Sequence, residues 1–400
     1  MRQALFILNI GSSSIKFSLY EIAKSHLSNK PTVHGQIEAL DEKPHFLVKD
    51  ANNNILVDEQ FLQASSQDIQ LFALTSLLDW LNKNLPEYTI VAAGHRVVHG
   101  ADQFNQPVIV NKDVLNALES FNCLAPLHQP YNVMGIKALT KSLPNILQVA
   151  CFDTAFHFSQ SKLAQAFALP DKLSVYPIKR YGFHGLSYEY IAQVLPDYLQ
   201  QCADKKIIVA HLGHGASLCA MEKRKSIATT MGFTALDGLP MGTRCGNLDP
   251  GVILYLLEQQ KMSVSEVTEL LYNKSGLLGI SEISADVRTL LISDSPKAKF
   301  AIDLFVYRIV REMGSLITAL GGLDSIVFTA GIGEHAATIR AAVCQQLAWL
   351  GIKLNQEANL QNKTQISSAD SSLSVWVIPT NEEYIIAQHT WQYLQLVQPI

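Results

Sequence analysis

The stretch Asn9-Ile10-Gly11-Ser12-Ser13-Ser14 decides the fold. Before it, Leu5-Phe6-Ile7-Leu8 reads as a short buried strand. After it, apolar and polar residues alternate from Ile15 to Leu19, as in a second strand folding back on the first. Gly11 permits backbone angles that bring main-chain N–H groups close to an anion, and Ser12 and Ser14 add hydroxyl donors. Lys16 can point its charge at the same place, and Asn9 offers an uncharged amide to a phosphate or a metal-bound water. On its own the loop reads either as a phosphate cradle or as a tight polar hairpin.

Working outward, strand-like pieces fall at Val33–Ile37, Phe46–Val48 and Ile55–Val57, and Ile69–Leu81 carries apolar residues at helical spacing. Ile90–Gly94 is a strand that runs into His95-Arg96-Val97-Val98-His99-Gly100. Helical patterns near Val114–Leu118 and Val133–Leu139 precede a strand at Ile146–Phe152, which ends in Asp153-Thr154. The second half restarts this plan. Ile207–Ala210 is a strand, His211-Leu212-Gly213-His214-Gly215-Ala216-Ser217 a turn, and Leu218–Met221 the returning strand. Helices are expected near Val252–Gln259, Val264–Tyr272 and Ala298–Leu320, then a strand at Ser325–Phe328 opening onto Thr329-Ala330-Gly331-Ile332-Gly333-Glu334-His335. The polar, repetitive Gln356–Ser374 is expected to be a surface excursion.

The 400 residues exceed what one core usually organises. Two half-chains with one plan predict an α/β protein of two similar domains, each with a βββαβαβα core, and a nucleotide cleft between them. No G-x-x-x-x-G-K-[ST] occurs, which removes a P-loop, and Ala336 stands where a third glycine would complete a dinucleotide fingerprint. Two phosphate hairpins and a late glycine turn fit the duplicated fold of actin, Hsp70-type ATPases and sugar kinases. A net charge of −4 provides no basic field for nucleic acid. Six scattered cysteines without a C-x-x-C pair suit a reducing, cytoplasmic setting, and no apolar run reaches the length of a membrane span.

Seven motifs in order make the resemblance specific. They are Asn9–Phe17; Gly94-His95-Arg96-Val97-Val98-His99-Gly100; Leu124-Ala125-Pro126-Leu127-His128; Phe152-Asp153-Thr154-Ala155-Phe156-His157; Arg180-Tyr181-Gly182-Phe183-His184-Gly185; Met231-Gly232-Phe233-Thr234 through Met241-Gly242-Thr243-Arg244; and Pro379-Thr380-Asn381-Glu382-Glu383. From end to end the chain resembles the acetate kinases. The resemblance implies reversible, magnesium-dependent transfer of the γ-phosphoryl of ATP to acetate, giving acetyl phosphate and ADP, with manganese as a substitute metal and a homodimer as the assembly. Domains are expected at 1–157, joined by the last helix (about 384–400), and at 158–383, the latter binding nucleotide and forming the dimer. Two other readings stand beside it: a kinase of the same fold preferring propionate or butyrate, and a non-enzymatic nucleotide-binding protein of the actin or Hsp70 kind.

A carboxylate is already ionised at pH 7, so the reaction needs no general base. Its difficulty is the approach of two anions, which repel by about 5 kcal/mol at about 3.3 Å and an effective dielectric near 20. Cations and donors are therefore the groups to look for. By resemblance Arg96 holds the acetate, Arg244 the transferring phosphoryl, and His184 donates to its oxygens, with His128 a weaker candidate. His95, His99 and His157 are read as structural. Asp153 ends a strand and is read as an anchor for magnesium, with Asn9 and Glu382 as its ligands. Thr380 reads as a helix N-cap with Glu383 as its capping-box partner. ATP is expected on Ser12, Ser14, Lys16, His211, Leu212, Gly213, His214, Gly215, Asp286, Val287, Arg288, Gly331, Ile332, Gly333, Glu334 and His335. Val98, Leu127, Phe183 and Ala235 are expected around the acid's methyl group. His214 and His335 stand where the family has Asn, Ala235 where it has Pro, and Asp237 where it has Glu.

Overall fold

The computed structural model describes residues 1–11, 14–23, 26–38, 44–60, 69–170 and 173–397. Two compact units divide the chain, unit 1 taking Met1–Ala155 and Asn381–Ile400 and unit 2 taking Phe156–Thr380. The first division falls before the expected residue 157 because the His157 ring bonds Ser226 Oγ and the Phe183 carbonyl oxygen, both in unit 2. The second precedes Asn381, where the C-terminal helix begins.

Unit 1 is built on β1 (Arg2–Ile10), β2 (Ile15–Ala23), β3 (His26–Leu27), β4 (Val33–Glu38), β5 (His45–Asp50), β6 (Ile55–Gln60), β7 (Tyr88–Val97), β8 (Val108–Ile109) and β9 (Leu147–Phe152). The order across its sheet is β6-β5-β4-β2-β1-β7-β9-β8, with β3 on β2. β1 and β2 form the expected hairpin, closed by the Gly11 N–H on the Ser14 carbonyl oxygen at 2.8 Å. β7 and β9 then run parallel to β1 and to each other. Both faces are covered, which is why the β1 core is a continuous apolar run. Phe6, Leu8 and Phe17 pack with Leu74 and Leu77 of the helix Ile69–Asn84. The C-terminal helix Glu382–Val397 packs on β1, β7 and β9. Gly94 permits that approach: a Cβ there would come within 2.3 Å of Thr390 Oγ1 and 2.5 Å of Ile386.

Unit 2 contains β10 (Ile207–Leu212), β11 (Ala216–Glu222), β12 (Lys225–Thr229), β13 (Ser325–Thr329) and β14 (Ser374–Val377), in the order β12-β11-β10-β13-β14. The first three pair antiparallel and the last two add in parallel. Helix Gly185–Leu199 buries Tyr188, Ile191 and Leu195 against Ile207, Val209 and Val327. Helix Pro296–Leu320 packs on β11.

Two local expectations need correction. The C-terminal helix is capped by Asn381, whose Oδ1 accepts from the Tyr384 N–H at 3.1 Å. The Thr380 hydroxyl instead bonds Ser187 Oγ at 2.9 Å, so Glu383 is not a capping-box partner of Thr380. The stretch 356–374 is more than an excursion. It carries helix Gln356–Leu360, the fully buried Ile366, and Asn359, which is 1% exposed and holds the buried Arg340.

Candidate functional site

In unit 1 the C-terminal ends of β1, β7 and β9 gather three of the expected residues. Asn9 is next to last on β1, Arg96 next to last on β7, and Asp153 follows β9 directly. Arg96 Nε and Nη2 grip the Asp153 carboxylate at 3.1 and 2.5 Å, and Nη1 donates to Asn9 Oδ1 at 3.1 Å. The Asp153 side chain is 2% exposed, whereas Arg96 keeps 22%. Burial works against the Arg96 charge, but Asp153 and Glu382 outweigh it and hold the guanidinium charged. Glu382 therefore lies within electrostatic reach of this cluster. The neighbouring Glu383 has its carboxyl pushed above the usual range by burial and by Glu382, against the pull of Lys16. Lys16 faces Asn9 across the β1–β2 hairpin.

Two residues missed in the sequence fix this end of unit 1. The buried Asn132 donates to the Ile10 carbonyl oxygen at 2.7 Å and accepts from the Val98 N–H at 3.0 Å, tying the hairpin to the Arg96 strand. Gln129 does the same for the His99 backbone. Val98 is 3% exposed and Leu127 36%, so of these two it is Leu127 that presents apolar surface. His95 is locked on Gln148, with burial pushing it down to about 4. His157, likewise buried, also lies at about 4. Both are structural in character.

Unit 2 gathers a different set. The turn between β10 and β11 is closed by the Gly213 N–H on the Gly215 carbonyl oxygen at 3.0 Å. Beside it lies a cavity of about 530 Å³ lined by Gly213, His214, Ala285, Asp286, Val287, Arg288, Leu291, Gly331, Ile332, His335 and Ala336. A Cβ on Gly331 would meet no atom within 4 Å, so at this point the glycine leaves room toward the cavity. The adjoining Ala330 holds φ at 63°, a strained conformation for alanine. Burial, and then the Arg244 charge, keep His214 below the ordinary histidine range. Thr329 Oγ1, at the end of β13 opposite His211, is buried without a hydrogen-bond partner among the described residues.

Of the expected nucleotide residues, His211, Leu212, Gly215, Gly333 and Glu334 do not line this cavity. Leu212 is fully buried core, and Glu334 accepts from the Thr380 N–H at 3.2 Å. Gly333 and Glu334 offer their carbonyl oxygens to Arg340, which pins the short helix Ala330–His335. Ser14 and Lys16 belong to unit 1, and Ser12 lies outside the described residues. Asp286 caps the short helix Val287–Leu291 and pairs with the exposed Arg288 at 2.5 Å.

His184 opens helix Gly185–Leu199 with φ at 59°, in the left-handed region. Its ring stacks on His211 with centroids 4.2 Å apart. A Cβ on Gly215 would lie 3.0 Å from His184 Nε2 and 3.8 Å from Arg244 Nη1, so both groups face one point beside the glycine turn. Arg244 Nη1 donates to the Ala235 carbonyl oxygen at 3.0 Å. Asp237 secures that loop through Arg180 at 2.8 Å and the Gly238 N–H at 2.9 Å. Phe183 is buried and Ala235 partly so.

Residues 4–388 match the Acetokinase family. The chain belongs to that family. It is 53% identical over 395 residues to an acetate kinase of Rhodopseudomonas palustris (strain TIE-1), covering 98% of each chain. Among solved structures it matches a propionate kinase from Francisella tularensis with a TM-score of 0.88 and 37% identity, over 98% of this chain and 99% of that one. An acetate kinase from Porphyromonas gingivalis matches with a TM-score of 0.85 and 34% identity, over 98% and 100%. These neighbours carry the actin-like ATPase fold, and the two sheets of this acetokinase are built on it. The family acts as phosphotransferases on a carboxyl group, with ATP or ADP and a divalent metal. Among the described residues no helix is long and apolar enough to cross a membrane.

Proposed function

We infer that this acetokinase is an acetate kinase, moving the γ-phosphoryl of ATP to acetate in a reversible, direct in-line displacement. A carboxylate oxygen forms the new P–O bond while the bond to the bridging oxygen of ADP breaks, and ADP leaves with that electron pair. The observation that carries this reading is Arg96, a guanidinium oriented by Asp153 and Asn9 yet still 22% exposed. A nucleotide-binding protein without an anionic acceptor has no need of such a group. Arg96 would bind the acid, Arg244 and His184 would stabilise the charge growing on the phosphoryl, and the cavity beside Gly331 would take the nucleotide. Val98, Leu127, Phe183 and Ala235 are proposed to contact the acid's alkyl end.

The metal is proposed to be magnesium, with manganese able to replace it. Asn9, Asp153 and Glu382 are all oxygen donors, which suits a hard cation that keeps several waters and takes only one or two protein carboxylates. No group of three or more His, Cys, Asp or Glu side chains suited to a metal occurs among the described residues, so Asn9 and waters would complete the set. Such an ion supplies charge neutralisation of the polyphosphate when bound. Asp153 is proposed to orient Arg96 and anchor that ion; as an acid–base group it would have no proton to take from an ionised acid.

A homodimer is proposed through the helix Pro250–Glu258. None of its residues is buried, and Val252, Leu254 and Tyr255 are 38%, 56% and 53% exposed, an apolar face suited to a second copy. A cytoplasmic setting fits the six cysteines, none of which is in a disulfide.

The test is trapping of acyl phosphate with hydroxylamine across short carboxylic acids and nucleotides. Acetate with ATP is expected to give the highest kcat/KM. The propionate kinase among the structural neighbours makes propionate the second acid to measure. ADP formation that is indifferent to any acid would overturn the reading.

A further inference from the structure

Beneath His184 lies a hydrogen-bonded chain that the reaction as described does not use. His184 Nδ1 bonds Ser217 Oγ at 2.8 Å, and Ser217 Oγ bonds the Tyr188 hydroxyl at 2.5 Å. Ser217 and Tyr188 are both fully buried. Ser217 sits on β11 directly opposite His211, and Tyr188 is one turn along the helix that His184 opens. Each hydroxyl has one hydrogen, so the chain can point only one of two ways.

The surroundings of Tyr188 choose between them. Among the described residues the phenol oxygen has one hydrogen-bond partner, Ser217 Oγ. If His184 donated from Nδ1 into Ser217, and Ser217 into Tyr188, the phenol hydrogen would be buried with no acceptor among the described residues, a costly arrangement. The opposite direction satisfies every group. Tyr188 donates to Ser217, Ser217 donates to His184 Nδ1, and the ring's hydrogen is on Nε2.

We propose that Tyr188 and Ser217 are positioning residues that hold neutral His184 in the Nε2–H tautomer, so that the hydrogen faces the point beside Gly215 at which Arg244 is also aimed. The proposal rests on the role of His184 as a donor to the phosphoryl group. It assigns a function to two residues that touch no substrate, and it explains a fully buried serine between two rings. A ring free to flip or change tautomer would present a lone pair to an anionic phosphoryl for part of the time, which repels where a donor should attract.

The experiment is 15N NMR of the histidine-labelled full chain without ligands, the His184 signals being assigned by their loss in His184→Gln. Wild type is expected to show a protonated Nε2 and a bare Nδ1. Ser217→Ala is expected to mix the tautomers and lower kcat about 10- to 100-fold, less than the loss from deleting a donor outright, with KM for ATP and acetate within about threefold. Tyr188→Phe, which leaves Ser217 in place, should give a partial shift and a smaller loss, and serves if Ser217→Ala does not fold. A wild-type ring protonated on Nδ1, or variants with an unchanged tautomer, would overturn the proposal. A wild-type protein making no acyl phosphate would overturn the functional reading instead, and the NMR result would stand apart from it.

Discussion

The two units share one scaffold and furnish it with opposite chemistry. Strands β1, β2, β4, β7 and β9 of unit 1 correspond in order and direction to β10, β11, β12, β13 and β14 of unit 2. Both first hairpins are closed by a glycine N–H on a carbonyl oxygen two or three residues on. The residues at matching strand ends differ completely. Asn9 and Lys16 face each other in unit 1, and His211 and Ser217 in unit 2. Arg96 follows the β7 residue paired with Leu8, and Thr329 is paired with His211. At these strand ends unit 1 thus collects charges, with Glu382 brought in on the C-terminal helix, while unit 2 collects hydroxyls and imidazoles beside its glycine turn and draws its charge, Arg244, from a separate loop. A small carboxylate and a metal ion must be recognised by charge, because they offer little else. A nucleotide offers surface and many oxygens, which suits close main-chain approach and neutral donors.

The sharpest way to break this contrast is to delete one arginine from each unit. Arg96→Ala and Arg244→Ala are each expected to lower kcat/KM about 10³-fold or more. Their stabilities should differ. Removing Arg96 takes the guanidinium from the Asp153 carboxylate, 2% exposed, and should cost about 3–5 kcal/mol. Adding Asp153→Asn should recover much of that stability and none of the activity. Arg244 donates to a backbone carbonyl oxygen, so its loss should leave the melting temperature within a few degrees of wild type. Denaturant melts and turnover on the three variants test this. Equal stability losses in Arg96→Ala and Arg244→Ala would mean that charge is not what distinguishes the two units.

A smaller effect separates neighbours at the start of the C-terminal helix. Glu382→Ala should raise the magnesium requirement about tenfold or more. Asn381→Ala should leave it unchanged and cost about 0.5–2 kcal/mol, the usual loss of an N-cap. Glu383 should show itself in pH. Its folded-state carboxyl is raised above the ordinary value, so it binds protons more tightly folded than unfolded. Its contribution to stability is therefore full at low pH and is lost as pH rises from the ordinary carboxylate range through the raised value. Glu383→Gln should gain melting temperature over wild type at pH 7 and little at pH 4. A gain that is the same at both pH values would show that Glu383 is not held in this way.

Ten of the fourteen described strands were legible because their apolar runs are bounded by Gly, Ser and Asn turns, whereas the short β3, β8, β12 and β14 were not expected. Of the charged residues of unit 1, Asp153 was legible from its place at a strand end, whereas Arg96 was assigned through the family resemblance. What the chain order hides is which polar groups meet. Glu383 has the spacing of a capping box, but Asn381 is one residue closer to the helix and takes the cap. Ser217 and Tyr188 look like ordinary strand and helix residues, and only the pairing of β10 with β11 brings them to His184. Arg340 is fully buried, and the partners that hold it, Asn359 and Asn362, lie far along the chain from it.

The smallest expected effect concerns whether unit 2 also takes part in reading the acid. By the resemblance to the family, Ala235 is expected at the place of a proline, and its carbonyl oxygen accepts from Arg244. If position 235 touches the acid's alkyl end, alanine leaves room for roughly one methylene more than the proline ring would. A buried methylene gains about 0.8 kcal/mol, close to a fourfold change in kcat/KM. Hydrophobic pockets discriminate one methylene by only about 1–3 kcal/mol even when well fitted, so acetate should remain preferred with propionate close behind. Ala235→Pro should then widen the acetate-to-propionate ratio up to about fourfold. Because the carbonyl oxygen at 235 is also an Arg244 partner, the substitution can disturb the arginine too. That would lower kcat for both acids together and leave their ratio alone. The ratio therefore isolates the pocket from the arginine. A ratio unchanged between wild type and Ala235→Pro would assign the reading of the acid to Arg96, Val98 and Leu127, and leave unit 2 with the nucleotide and the phosphoryl alone.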